Sequence, residues 1–169
     1  MRRTAGTESD VAERISATAA ADPWSPALEG IVDLLAGDHA MLVIHNDAGE
    51  EAPTTASVGM DARDLGRFTS PEAARWMEPF RLAMPNGVAT TWSALVSDRQ
   101  FERSAFYNEV VRPANGFYAV ASRLNLDSVS IFLAVCRSKH NRDFAAGDVA
   151  SLQAVLPLFA ANLEMQRRL

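Results

Sequence analysis

Two neighbouring runs in the second half of the chain constrain its fold more than any other feature. Phe117 to Asn125 and Ser128 to Arg137 are rich in Val, Ile, Phe, Tyr and Ala, and only Leu126-Asp127 separates them. Runs of this make-up joined by a tight step predict an antiparallel hairpin. A lone hairpin is marginal in water, so further strands or helices must cover its apolar face.

The rest of the chain offers both. His39 to Asn46 is dense in Met, Leu, Val and Ile and too short for a typical helix, which predicts a buried strand. Asp47-Ala48-Gly49 turns the chain, and Thr54 to Met60 predicts an antiparallel partner. From Asp61 the period becomes helical. Ser70-Pro71-Glu72 caps a helix whose face is Ala73, Trp76, Met77, Phe80 and Met84, and Pro85-Asn86-Gly87 is a strong turn. Val88 to Leu95 fits a short strand or the start of a helix. Asp98 caps a helix that turns Phe106, Tyr107, Val110 and Val111 inward and stops at Arg112-Pro113.

Helices are also expected at both ends. Residues 1–23 read as a polar segment followed by an alanine-rich helix from Val11 to Ala21, broken at Asp22-Pro23. Ser25 as cap and Pro26 in the first turn start a second helix, with Leu28, Ile31, Val32 and Leu35 inward and Gly37 as its end. The last helix, Ala145 to Leu169, carries Val149, Leu152, Leu156, Phe159 and Leu163 at spacings of three and four, and Val155 and Leu158 broaden this seam. Pro157 should kink it. Helices flanking antiparallel strands indicate an α+β fold, with the terminal helices on one face of the sheet and the middle segment over the other.

Composition narrows the function. A chain of 169 residues with 48% hydrophobic residues suits one domain. Sixteen Lys and Arg against 21 Asp and Glu leave a net charge of -5, which argues against nucleic-acid binding, since that affinity rests on cations neutralising phosphates. No apolar run is expected to span a membrane, and Met1-Arg2-Arg3-Thr4 lacks the apolar core of a signal peptide, so the expected location is the cytoplasm. The lone Cys136 excludes an internal disulfide and reads as an inert buried thiol.

No catalytic constellation stands out: the sequence has no P-loop, GxGxxG, HExxH or GxSxG. His39, His45 and His140 are too scattered for a metal site, although His45 shares a strand face with Met41 and Val43. The aromatic set is more suggestive. Trp76, Phe80, Trp92, Phe101, Phe106 and Tyr107 lie in the middle segment, and Phe117 and Tyr118 open the next strand. Ligand sites are mostly apolar and aromatic with a few placed polar groups, which Arg123 and Ser130 could supply. Arg123 shares a face with Phe117, Ala119 and Ala121, whose small side chains leave room above the sheet for a ligand, an anionic one if Arg123 points inward. The competing reading is that the rings fill the core. A cavity lined by Trp76, Trp92, Tyr107 and Arg123 would favour the first, and rings filling that space the second.

The stretch Phe101-Glu102-Arg103-Ser104-Ala105-Phe106-Tyr107-Asn108-Glu109-Val110-Val111-Arg112-Pro113, followed by Gly116 and the hairpin, resembles the GAF-like sensor domain that precedes the helix-turn-helix in LuxR-type bacterial regulators. Trp24-Ser25-Pro26-Ala27-Leu28, Arg137 with Phe144 and Asp148, and Leu156-Pro157 fit the same pattern over residues 24–169. The chain departs from it at Leu158, where those proteins often have histidine, and at Arg167-Arg168-Leu169, where their linker and DNA-binding helices would begin. Asn141, Phe144 and Asp148 match part of the set used by cyclic-nucleotide-binding GAF domains, but its lysine is absent.

The resemblance implies a GAF/PAS-like sheet and a cytoplasmic sensor, not an enzyme, without cofactor or metal. It would bind a small molecule through Trp76, Phe80, Trp92, Phe106, Tyr107, Phe117, Arg123 and Ser130. It also implies a homodimer through the terminal helices, with Leu152, Val155, Leu158, Phe159 and Leu163 at the interface, and no contact of its own with nucleic acid or membrane. The alternative is a stand-alone dimerisation or protein-interaction module with a filled core.

Overall fold

The computed structural model describes residues 6–16, 24–46 and 53–168. In chain order the elements begin with α1 (Glu8–Ser16), α2 (Ser25–Leu35), β1 (His39–Asn46) and β2 (Thr54–Val58). The middle segment comprises α3 (Ala62–Phe68), α4 (Pro71–Ala83), β3 (Thr90–Thr91), α5 (Trp92–Leu95), α6 (Asp98–Glu102) and a π-helical turn, Tyr107–Val111. The hairpin strands β4 (Tyr118–Leu126) and β5 (Val129–Arg137) and the long α7 (Ala146–Arg168) complete the fold. The five strands form one sheet in the order β2-β1-β5-β4-β3, with every neighbouring pair antiparallel. The α+β expectation holds.

Side chains alternate across the strands and so feed two cores. Ala40 and Leu42 of β1, Val120 of β4, and Ile131, Leu133 and Val135 of β5 meet α1, α2 and α7. Met41, Val43, Ala121 and Ala134 meet the middle segment on the other face. The predicted division between terminal and middle helices is therefore present. Val11 of α1 is fully buried in the first core, so α1 packs with the rest of the chain.

Several local details differ from expectation. The hairpin turns at Asp127-Ser128, one residue later than expected, because Leu126 pairs with Val129; Asp127 takes the left-handed conformation at φ 36°. At the start of α2, Trp24 and not Ser25 is the N-cap residue, and no side chain caps the helix. Burial of the Trp24 ring against Phe159, with centroids 6.0 Å apart, sets this start. The same helix ends on Ala36 at φ 48°, with Gly37 N–H donating to Val32 O at 2.9 Å. Glycine is needed at 37 for a different reason: a Cβ there would lie 2.6 Å from Val135 Cγ1.

Ser70 caps α4 as predicted, accepting from Ala73 N at 3.1 Å. Ser97, not Asp98, caps α6, accepting from Gln100 N at 3.3 Å. The helix expected from Asp98 to Arg112 is broken at Arg103-Ser104. There the Ser104 hydroxyl donates to Phe101 O and accepts from Tyr107 N, restarting the chain as the π turn.

α7 runs through Pro157. Contrary to expectation, its segment Ala146–Met165 is long and apolar enough, by length and composition, to cross a membrane. Its seam residues Leu152, Val155, Leu156, Phe159 and Leu163 lie in the core against the sheet and α2, and a core helix passes the same test. The expected helix end at Ala21, the break at Asp22-Pro23 and the turn at Asp47-Ala48-Gly49 lie outside the described residues.

Candidate functional site

The small residues Ala119, Ala121 and Ala134 do leave space above the sheet, and aromatic rings occupy it. Trp92, Phe101, Phe106, Tyr107 and Phe117 are each buried, and adjacent rings pack with centroids between 5.1 and 6.4 Å apart. Edge and tilted contacts at such distances are the favourable arrangements of aromatic pairs. What remains is a void of about 30 Å³ beside Trp92, Phe101, Phe106 and Phe117. The Trp92 indole Nε1 is buried with no hydrogen-bond partner among the described residues.

A larger cleft, of about 420 Å³, opens nearer the hairpin end of the same sheet face. Strand β1 contributes Met41, Val43 and His45, β4 contributes Arg123 and Asn125, and β5 contributes Ser130 and Phe132. Helix α4 covers them with Ala74, Met77, Glu78 and Arg81, and Phe68, Thr69 and Ser70 close one side. The cleft is polar toward the hairpin and apolar inward. Met41, Phe68, Met77 and Phe132 border both the cleft and the 30 Å³ void, so these four side chains stand between the two spaces.

Arg123 is fixed from two directions. Its Nε donates to Met84 O at 3.1 Å, and its backbone carbonyl accepts from Gly87 N at 2.8 Å. The turn Pro85-Asn86-Gly87 is thereby held on the edge of β4, helped by Asn86 Oδ1, which accepts from Asn125 N at 2.9 Å. Gly87 takes φ 74°, a conformation that favours glycine. Across the cleft, Glu78 Oε2 accepts from both Nε and Nη2 of Arg81, at 3.0 and 2.7 Å.

The structure thus separates the residues proposed from sequence. Arg123 and Ser130 line the cleft. Trp92, Phe106 and Phe117 line the small void, and Tyr107 packs behind it on Phe101 and Phe117. Phe80 packs at a tilt on Trp92 with centroids 4.7 Å apart, and Trp76 is half-buried against the same core. The polar members on α4, Glu78 and Arg81, were missed because the helical pattern places them on its outer face. His45 was singled out by strand alternation, and Asn125 lies two residues beyond Arg123 on the same face.

Among the residues proposed for a dimer interface, Leu152, Val155, Phe159 and Leu163 are buried in the domain's own core, because α7 needs that seam to cover the sheet. Leu158 remains exposed, and Met165 lies one heptad further along the same helix, also exposed.

The other candidates have structural placements. Burial, and secondarily the Asp38 charge, push the Cys136 thiol up to about 12, which suppresses the thiolate. His39 is buried and its Nε2 has no partner among the described residues, whereas His140 is exposed. Phe144 carries the Arg137 guanidinium 4.1 Å above its ring, and Asp148 accepts from Ala145 N at 2.8 Å at the start of α7. Asn141 accepts from Arg142 N at 2.9 Å within the turn. Among the described residues no group of three or more His, Cys, Asp or Glu could hold a metal ion.

No protein-family model matches the chain, and no curated protein matches its sequence. Solved structures do match. SdiA from Escherichia coli, also solved in complex with octanoyl-rac-glycerol, superposes with a TM-score of 0.65 at 16% identity over 95% of this chain and 66% of SdiA. This chain therefore spans just under two thirds of that protein. The N-acylhomoserine lactone dependent LuxR-family transcription factor CepR2 from Burkholderia cenocepacia gives a TM-score of 0.59 at 11% identity, covering 93% of this chain and 90% of CepR2. The GAF domain/HD domain protein from Geobacter sulfurreducens gives 0.59 at 14% identity, with both chains covered in full. The chain has the GAF-like fold of LuxR-type ligand-binding domains. The resemblance seen in the Phe101–Pro113 stretch holds at the level of fold.

Proposed function

We propose that this chain is the sensor domain of a cytoplasmic LuxR-type transcriptional regulator, binding a small molecule between α4 and the sheet. The observation that carries this reading is the cleft of about 420 Å³, which falls within the range of small-molecule sites and combines an apolar wall with a few convergent polar groups. It lies in a fold shared with SdiA, solved with octanoyl-rac-glycerol, and with the N-acylhomoserine lactone dependent CepR2. Arg123 and Ser130 are assigned to the polar end of the ligand and Met41, Met77 and Phe132 to its apolar end. Trp92, Phe106 and Phe117 line the small void beyond that end, with Trp76, Phe80 and Tyr107 supporting them.

Signalling requires that the ligand favour one of two arrangements, here of α4 and the segment that follows it. That segment reaches α7 directly: Gln153 accepts from Ala89 N at 2.8 Å and donates to Gly87 O at 2.7 Å. Gly87 in turn is bonded to Arg123 of the cleft, so an ordered ligand can shift α7 through few intermediates. The reading also includes a homodimer through the terminal helices, with Leu158 and Met165 at the contact, and a DNA-binding output outside the described residues. No reaction is assigned to the domain.

Native mass spectrometry of the purified chain, with thermal-shift titration of octanoyl glycerol and of N-acylhomoserine lactones, tests the proposal. A retained small molecule or a concentration-dependent rise in Tm is expected, since a ligand binding only the native state stabilises it by mass action. No retained mass, no shift and a monomer at high concentration overturn it. A second reading, an interaction module without ligand, is favoured by the rings that reduce the central void to about 30 Å³. It predicts a dimer with no ligand response in the same experiment.

A further inference from the structure

We infer that the cleft selects an amphiphile with an anionic end, typified by a carboxylate on an apolar chain, and that Arg123 is its counter-ion. The inference rests on the cleft being the ligand site. It concerns charge, which shared fold alone leaves open.

Three charged side chains line the cleft among the described residues: Glu78, Arg81 and Arg123. The first two neutralise each other through a contact of 2.7 Å. That leaves one positive charge, on Arg123. Among the described residues no carboxylate forms an ion pair with it, and only its Nε is engaged, by Met84 O. This single bond orients the guanidinium plane while leaving both Nη groups without a hydrogen bond inside the described fold. The residue is partly buried between α4 and the sheet, where a cation is less well solvated than on an open surface. A carboxylate meets such a fork with two parallel, charge-assisted hydrogen bonds, which a neutral head group does not reproduce.

The surroundings supply the rest of the specificity. Asn125 and Ser130, register partners on β4 and β5, place amide and hydroxyl groups on the polar side, with His45 opposite Ser130 on β1. Phe132 is the register partner of Arg123, so the apolar wall begins directly beside the guanidinium. It continues through Met41, Met77 and Phe68 to the small void. An apolar chain fits that course, and the two methionines can reshape the wall to its length.

The matched pair decanoate and decanamide, nearly equal in shape and different in charge, provides the test on the intact chain by calorimetry below their aggregation concentrations. Decanoate should bind at least about tenfold more tightly than decanamide, the span of a hydrogen bond to a charged group. Arg123→Gln should abolish that ratio. Because Arg123 also tethers Met84, the exposed substitution Asn125→Asp is the second arm: it places a carboxylate beside Arg123 and should collapse the ratio toward one.

Equal affinity for acid and amide overturns the anionic assignment while leaving the ligand site standing. A ratio that survives Asn125→Asp and Arg123→Gln overturns Arg123 as the counter-ion. If neither probe binds and native mass spectrometry finds no retained molecule, this inference falls together with the sensor reading.

Discussion

The two faces of the sheet are made from alternate residues of the same strands, yet they are packed on different principles. On the side of the terminal helices, β5 presents Ile131, Leu133 and Val135 to Leu28, Ile31, Leu35 and Phe159, all buried, in one largely aliphatic core. On the other side the strands present Ala119, Ala121, Ala134, Met41 and Arg123, and the missing volume is made up by rings from the middle segment. The aliphatic side is a structural base. The aromatic side is assembled from short helices, contains the cleft at one end, and is the face on which a change of occupancy can be tolerated.

The largest expected effect tests that contrast. Phe159→Ala removes a ring that is 1% exposed and stacked on Trp24. It should cost about 3–5 kcal/mol, because transfer energy and a new cavity add. Met77→Ala, half-buried between cleft and void, should cost under about 2 kcal/mol, since its loss enlarges space already present. Urea denaturation of both variants measures the difference, and equal losses would erase the proposed distinction between the faces.

Arg137 should rank next, and it belongs to the structural base. It is 4% exposed, and its guanidinium donates to the carbonyls of Leu35, Ala36, Arg142 and Asp143. Its Nη2 also lies 3.5 Å from Asp148 Oδ2, tying the end of α2 and the end of β5 to the first turn of α7. Arg137→Met keeps much of the volume and leaves those acceptors without their donor, at a cost of about 2–4 kcal/mol. The loss should appear as an earlier urea midpoint with unchanged probe affinity in the cleft.

Much of this base was legible in sequence, and for a definite reason. The short, densely apolar runs of the hairpin and of His39–Asn46, and the Ser70-Pro71 start of α4, are local signals that the tertiary structure had no cause to override. The exceptions arise where distant packing intervenes: Trp24 displaced Ser25 as N-cap because its ring was needed against Phe159, and Ser104 interrupted the helix predicted through Phe106. The site was less legible. Whether six aromatic residues line a cavity or fill it depends on summed volume, which spacing does not contain. Arg123 was recognisable from its place above two alanines, but Glu78 and Arg81 resembled any exposed ion pair on a helix.

A smaller effect concerns pH. Burial holds His39 below the ordinary histidine value, against the opposing pull of Asp38 and Asp64. The folded state therefore favours the neutral ring, while the unfolded chain takes up a proton near pH 6.5. Stability should be fully present above that value and fall as the pH drops through it toward the lower folded pKa, by less than about 1.4 kcal/mol per pH unit. Comparing urea midpoints at pH 7.5 and 5.5 for the native chain and His39→Gln isolates this contribution. A drop that persists undiminished in the variant assigns the dependence to other groups.

The smallest effect is expected at Trp92, on the cleft side. Its indole Nε1 is buried without a partner among the described residues, so the native state carries a desolvated donor with nothing to offset it. Trp92→Phe removes that donor and some ring volume. These losses oppose one another, since the smaller ring costs packing against Phe80 and Phe106 while the polar penalty disappears, and the net change should lie within about 1 kcal/mol. A ligand long enough to pass Met41 and Met77 into the void would meet the apolar wall to which Trp92 contributes. Such a ligand should change affinity in Trp92→Phe although stability is nearly unchanged, whereas a ligand confined to the outer cleft should be indifferent. The variant therefore measures how far the 420 Å³ cleft and the 30 Å³ void act as one site, separately from how well the aromatic face is packed.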